Sequence, residues 1–350
     1  MRFTSPARIA ATLLLALLAA LFCVWLKIPL PWMIGPLLAT ATASMLRART
    51  ESWAPLRNAG QCTIGIALGL YFTPQVTALV ASLWWAIALG IVWALVLGWL
   101  FGLWLQHMNA HRLPGLNRAT TWFAGAIGGA PEMTLLAERA QGRTELVAAA
   151  HSLRLLIVTL AIPFAMQFSG LHGLDGLPAS ARVVNWGGLL LLFVLAGAGA
   201  WVLERLDRAN PWFLGALLAV MGLTMFDIQL SALPTWLSNA AQLVIGVSLG
   251  VRFTPAFVHT APRWLASVAA GTLGLLVLCA VLAVVMAWLT GLHPATMVLA
   301  TAPGGIAEMS ITAKVLQLGA PVVTAFQVCR LIAVLLLIEP LYRRSLRRPS

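Results

Sequence analysis

The chain contains the same unit twice. Pro31–Ala39 (PWMIGPLLA) returns as Pro211–Ala219 (PWFLGALLA), with six of nine positions identical. Gln61–Pro74 (QCTIGIALGLYFTP) returns as Gln242–Pro255 (QLVIGVSLGVRFTP), with eight of fourteen identical. Gly128–Met133 (GGAPEM) returns as Gly304–Met309 (GGIAEM), and Arg154-Leu155 returns as Arg330-Leu331. Four blocks in one order, at offsets of 180, 181, 176 and 176 residues, mark a duplication. Whatever fold one copy adopts, the other must be able to adopt as well. The copies cover residues 9–168 and 186–344, and a Gly-rich linker at 169–185 joins them.

The solvent of that fold follows from the charges. Asn58–Gln106 runs for 49 residues without a charged side chain. Hydrophobic residues make up 61% of the chain, charged residues only 9%, and the mean hydropathy is +0.91. A soluble domain carries about 25% charged residues, so this chain lacks the polar surface to face water on all sides. These numbers exclude a soluble enzyme, a DNA-binding module and a disordered tail, and they place the chain in a lipid bilayer. The N-terminal run Ile9–Leu26 resembles a signal sequence. Its length, the absence of a small-x-small cleavage site and its counterpart in the second copy favour a first transmembrane helix.

Each copy reads as the same series. An apolar helix (9–26; 186–203) comes first, followed by the PW-x-x-G-x-LLA helix (31–46; 211–226). A Gly-spaced helix ends at Phe-Thr-Pro (58–72; 238–253) and a long uncharged helix follows (76–105; 264–289). A segment centred on Gly-Gly (119–140; 295–318) precedes a last helix with one mid-span arginine (144–168; 322–342).

Basic residues favour the cytoplasmic side of a membrane, so counting them separates two topologies. With six spans per copy, Lys and Arg divide 12 inside and 8 outside. With the Gly-Gly segment re-entrant and five spans per copy, the division is 17 inside to 3 outside (Lys27, Arg182 and Lys314), with Arg154 and Arg330 mid-span. The second division obeys the rule far better. An odd number of spans turns the second copy over, giving an all-α membrane protein of two inverted repeats, ten spans and two re-entrant segments. On this reading both termini are cytoplasmic, Leu105–Thr121 faces the cytoplasm and His293 the periplasm. Inverted repeats with discontinuous segments at mid-membrane characterise many secondary transporters.

Charge inside the membrane marks the candidate site. Glu132 and Glu308 stand beside the Gly-Gly pairs, and Arg154 and Arg330 lie in the last helix of each copy, all matched at one offset. Such residues cost roughly 2.5–3.5 kcal/mol on insertion scales. One reading is structural: each Glu pairs with the Arg of its own copy and fixes the segment to its neighbour. The other is functional: the side chains line a solute site together with Gly128, Gly129, Gly304 and Gly305. Glycine lets the backbone leave a helix and approach a ligand, and a new helix N-terminus attracts anions. Glu132 and Glu308 would suit a coupling proton or sodium ion.

Other features point to packing. Gly65/Gly69 and Gly246/Gly250 have the spacing of close helix contacts. Cys23, Cys62, Cys279 and Cys329 sit in apolar runs as small apolar side chains. His107 and His111 are loop histidines, and the other four are scattered, so no metal or other cofactor site is expected. The absence of a G-x-x-x-x-G-K-[ST] loop argues against ATP-driven transport by this chain alone.

The duplicated PW-x-x-G-x-LLA, G-x-x-x-G-x-x-F-T-P and GG-x-x-EM motifs with a downstream Arg resemble the AbrB family of bacterial membrane proteins. That family is also labelled ammonia monooxygenase. The resemblance spans both copies. It implies a bacterial inner-membrane protein, with members described as regulators of gene expression, and is distinct from the soluble DNA-binding regulator of the same name. The residues support neither a monooxygenase, which needs clustered His ligands, nor direct nucleic-acid binding, which needs a soluble basic element. The expected function is secondary transport of a small, anionic solute. The alternative is a membrane-embedded regulator acting indirectly, and enzymatic activity is not expected.

Overall fold

The computed structural model describes residues 6–111, 113, 115–169, 183–255 and 261–346. Most of the linker at 169–185 and five arginines of the charge count (Arg2, Arg112, Arg182, Arg347 and Arg348) lie outside them. The described residues are helical, with no strand among them. The first copy forms α1 (Pro6–Trp25), α2 (Pro31–Met45), α3 (Ala54–Gly69), α4 (Pro74–Ser82), α5 (Trp84–Asn109), α6 (Arg118–Gly125), α7 (Ala130–Arg139) and α8 (Thr144–Ser169). The second forms α9 (Trp186–Arg205), α10 (Pro211–Met225), α11 (Thr235–Gly250), α12 (Pro262–Thr290), α13 (Pro294–Thr301), α14 (Ile306–Val315) and α15 (Ala320–Leu346).

The two copies fold alike down to their turns. Eight non-glycine residues among those described have positive φ, and they form four matched pairs: Lys27 with Asp207, Leu30 with Asn210, Arg47 with Asp227, and Gln141 with Gln317. A left-handed backbone is uncommon outside glycine. Its recurrence at equivalent places, even at Leu30, shows that the duplicated sequence imposes the same chain reversals twice. Pro31 and Pro211 then occupy the first turn of their helices, where a missing N–H costs nothing.

Among the described residues six helices (α1, α5, α8, α9, α12 and α15) are long and apolar enough to cross a membrane. The PW-x-x-G-x-LLA and Gly-spaced helices hold 15 or 16 residues each, short of the roughly 20 that cross a full hydrocarbon core. One sequence expectation needs correction. The uncharged helix expected over 76–105 is two helices, because the chain leaves helical geometry at Leu83 (φ −88°, ψ 13°), and α3 and α4 are bent by 88° around the Phe-Thr-Pro turn. In the second copy α12 likewise starts after a non-helical residue, Ala261 (φ −160°, ψ 75°), and residues 256–260 before it lie outside the described ones. Periodicity could not locate the break, since Ser82-Leu83-Trp84 contains neither Gly nor Pro.

The chain forms two compact units, and each takes segments of both copies. Unit 1 comprises residues 1–81, 163–256 and 310–321, and unit 2 comprises 82–162, 257–309 and 322–350. Within unit 1 the copies interlock. A Cβ on Gly65 of α3 would lie 2.6 Å from the Phe213 carbonyl oxygen in α10. On Gly246 of α11 it would lie 2.5 Å from the Met33 carbonyl oxygen in α2. Each Gly-spaced helix therefore packs backbone to backbone on the PW helix of the other copy. Small residues permit this approach, as the sequence spacing suggested. Unit 2 is joined by side-chain bonds to backbone: Trp104 Nε1 donates to the Ser267 carbonyl (3.0 Å), and Trp264 Nε1 to that of Leu146 (3.1 Å).

Candidate functional site

All eight residues singled out by the sequence lie in unit 2. Each Gly-Gly segment is a broken helix: α6 stops at Gly125 and α7 starts at Ala130, while α13 stops at Thr301 and α14 starts at Ile306. At 1.5 Å per residue, the 8-residue first halves are about 12 Å long and the 10-residue second halves about 15 Å, so no half crosses a bilayer by itself. The breaks have physical causes. Pro131 and Pro303 cannot donate a helical hydrogen bond, and Ala126 (ψ 138°) and Ala302 (ψ 142°) are extended.

A helix that ends inside a protein leaves carbonyl oxygens without partners. Here the arginines serve them. Arg154 Nη1 donates to the Ala126 carbonyl at 2.9 Å, and Arg330 Nη1 donates to the Ala302 carbonyl at 2.5 Å. Arg330 Nη2 reaches the Gly304 carbonyl as well, at 2.9 Å. Both side chains are buried, at 4% and 6% exposure. A cation at a helix C-terminus is also favoured by the helix dipole.

Sequence reasoning missed two further members. His151, one turn before Arg154, approaches the Phe123 carbonyl through Nε2 at 3.0 Å, and its Nδ1 lies 2.8 Å from Arg154 Nη2. A guanidinium can only donate. Nδ1 therefore accepts, the proton sits on Nε2, and Nε2 donates to Phe123. Gln327 holds the equivalent place in the second copy, where its Nε2 donates to the Leu299 carbonyl at 2.8 Å. The offset of 176 that matches Arg154 with Arg330 also matches His151 with Gln327 and Phe123 with Leu299. That offset was the available signal; unlike residue types concealed it.

The glutamates sit across the breaks, in the first turns of α7 and α14, where the dipole favours an anion. Each carboxylate folds back over the glycine preceding its helix: a Cβ on Gly129 would collide with Glu132 Oε2, and one on Gly305 with Glu308 Oε2. Glu308 is 7% exposed and Glu132 partly buried. The arginines thus bond to carbonyls, and among the described residues no ion pair joins either arginine to the glutamate of its own copy. Within each break Ala126, Ile127, Ala302 and Pro303 are buried, whereas Gly128, Gly129, Gly304 and Gly305 are partly open. What each break offers to a small molecule is glycine backbone next to a carboxylate and a helix N-terminus. Among the described residues no group of three or more His, Cys, Asp or Glu is placed to hold a metal ion. All four cysteines are free thiols.

Comparison with known proteins fits the same frame. A family model described as "Transition state regulatory protein AbrB" matches residues 32–345. The chain belongs to the AbrB family. It is 27% identical over 347 residues to "Uncharacterized protein YhjN" of Bacillus subtilis (strain 168), covering 90% of this chain and 87% of that one. It is 26% identical over 328 residues to "Putative regulator AbrB" of Escherichia coli (strain K12), covering 92% of each. Both matches take in the two copies and both broken helices of this AbrB-family chain.

Proposed function

We propose that this AbrB-family protein is a secondary transporter of a small anionic solute, with its site at the two GG-x-x-EM breaks. One observation supports this above the others: two matched helix breaks stand in one compact unit, each with partly open glycine backbone beside a carboxylate. A packing device would need neither the break nor the carboxylate. A solute site uses both, the freed N–H groups for an anion and the carboxylate for a coupling proton or sodium ion. The chain then lies in the bacterial inner membrane as two inverted repeats with re-entrant breaks, both termini cytoplasmic, and it binds no nucleic acid directly. Broken backbone at membrane depth is tolerated where it lines a cavity.

The second reading, a membrane-embedded regulator, is favoured by the printed name of the Escherichia coli relative. Uptake separates the two. Purified protein in liposomes carrying a proton or sodium gradient is expected to accumulate members of a labelled small-acid panel. Saturable binding without accumulation would favour the sensor. The topology has its own test. A cysteine at His111 should resist a membrane-impermeant reagent in intact cells, and labelling there would overturn the 17-to-3 assignment.

A further inference from the structure

Unit 1 holds a cavity lined by none of the eight residues singled out at the Gly-Gly breaks. Its volume is about 710 Å³, and it lies among the end of α3, the start of α4, the turn after α10, the start of α11 and the end of α14. That size suits a small-molecule pocket. Apolar walls come from residues such as Leu70 and Leu233. Lys314 reaches the cavity and its Nζ donates to Ser238 Oγ at 3.3 Å. No carboxylate stands within ion-pair distance of that ammonium among the described residues. Gln242, 4% exposed, lines the same space. Asp227 also lines the cavity, where it is exposed and accepts from Gln229 Nε2 at 3.0 Å.

The duplication shows that the fold does not require this cation. At the offset of 176 the counterpart of Lys314 is Glu138, which is exposed. One copy carries a carboxylate and the other an ammonium turned into a cavity, so the ammonium answers to something other than repeat architecture.

We propose that this cavity binds a small organic monoanion, a carboxylate on an apolar body, with its charged oxygens on Lys314 and its body against the Leu70–Leu233 wall. Ser238 and Gln242 supply the neutral donors. One ammonium matches one carboxylate, and Asp227 at the exposed side repels a second negative charge, which selects against phosphate dianions. This binding rests on unit 1 alone and does not depend on the transport reading.

Calorimetry on the full chain in neutral detergent tests it, with sodium benzoate as the probe. Wild type should bind benzoate and not benzylammonium chloride. Lys314→Gln should weaken benzoate by about tenfold or more, and Lys314→Arg should stay within about threefold, as expected for a charge-assisted contact. Gln242→Leu gives an independent reading if Lys314→Gln fails to fold, with an expected loss of several-fold. Glu138→Gln, at the exposed counterpart of Lys314, should leave benzoate binding unchanged. No benzoate binding by wild type overturns the proposal. So does equal binding by Lys314→Gln, or displacement of benzoate by dioleoyl phosphatidylglycerol, which would assign the cavity to a lipid headgroup.

Discussion

The broken helix of the first copy and that of the second are fastened at the same points but by different means. In the first, Gly125 lies against the backbone of Gly98 and Gly102: a Cβ there would come 2.5 Å from the Gly102 nitrogen and 2.6 Å from the Gly98 oxygen. In the second, Thr301 takes the place of Gly125, and its Oγ1 donates to the Met297 carbonyl at 2.9 Å and reaches the Cys279 carbonyl of α12 at 3.4 Å. The polar clasps also differ. His151 and Arg154 bond to each other. Gln327 and Arg330 each reach carbonyls but leave Gln327 Oε1 and Arg330 Nε buried without partners. What the duplication has kept is the bond from each last helix to the C-terminal carbonyl of each half-helix. What it has let vary is the packing beside it. The kept part is the part that the break itself demands.

Exchanging residues between the copies sharpens that comparison. The largest effect should come from Gly125→Thr, which gives the first copy the residue of the second. Its Cβ meets backbone rather than a movable side chain, so a loss of more than about 3 kcal/mol is expected; the reverse change, Thr301→Gly, should cost about 1 kcal/mol. Thermal unfolding in detergent compares them, and equal losses would mean that the glycine contact is not the difference. Next comes Arg330→Met. It removes the donor to the partly open Gly304 carbonyl and one of two donors to Ala302, which keeps Gln327 Nε2 at 3.2 Å. Arg154→Met removes the donor to Ala126 and the partner of His151 Nδ1. Each should cost about 3 kcal/mol or less. An unchanged melting temperature for both would show that the clasp is not structural.

The exchange His151→Gln should be mild, within about 1 kcal/mol, because an amide Nε2 can serve the Phe123 carbonyl as Gln327 serves that of Leu299. His151→Leu removes that donor and should cost about 1–2 kcal/mol. Smallest of all should be Gly129→Ala and Gly305→Ala, about 1 kcal/mol or less in stability, since the colliding atom is the end of a flexible carboxylate. Moving that carboxylate should nonetheless reduce uptake, so these variants separate stability from function.

The sequence carried the duplication, the membrane setting, the Gly-Gly breaks and the role of Gly65 and Gly246. All of these leave periodic or compositional marks. It carried the four charges as a set but not their partners. Arg154 and Arg330 looked like partners for Glu132 and Glu308, because charge suggests charge. Their true partners are carbonyls, which a sequence does not distinguish one from another. His151 stayed hidden because its counterpart is Gln327, a residue of different type that makes the same bond. The break at Leu83 left no mark either, and the cavity around Lys314 draws on five separate segments that only folding brings together.

The central claim is that the carboxylates at the two breaks act on a solute and not on the fold. Uptake and melting temperature measured on the same preparations of wild type, Glu132→Gln and Glu308→Gln in liposomes test it most directly. The account predicts that uptake of the transported acid falls by about tenfold or more in each variant, while the melting temperature moves little. Uptake equal to wild type in both variants, or a loss of uptake that only follows a loss of folded protein, would contradict it.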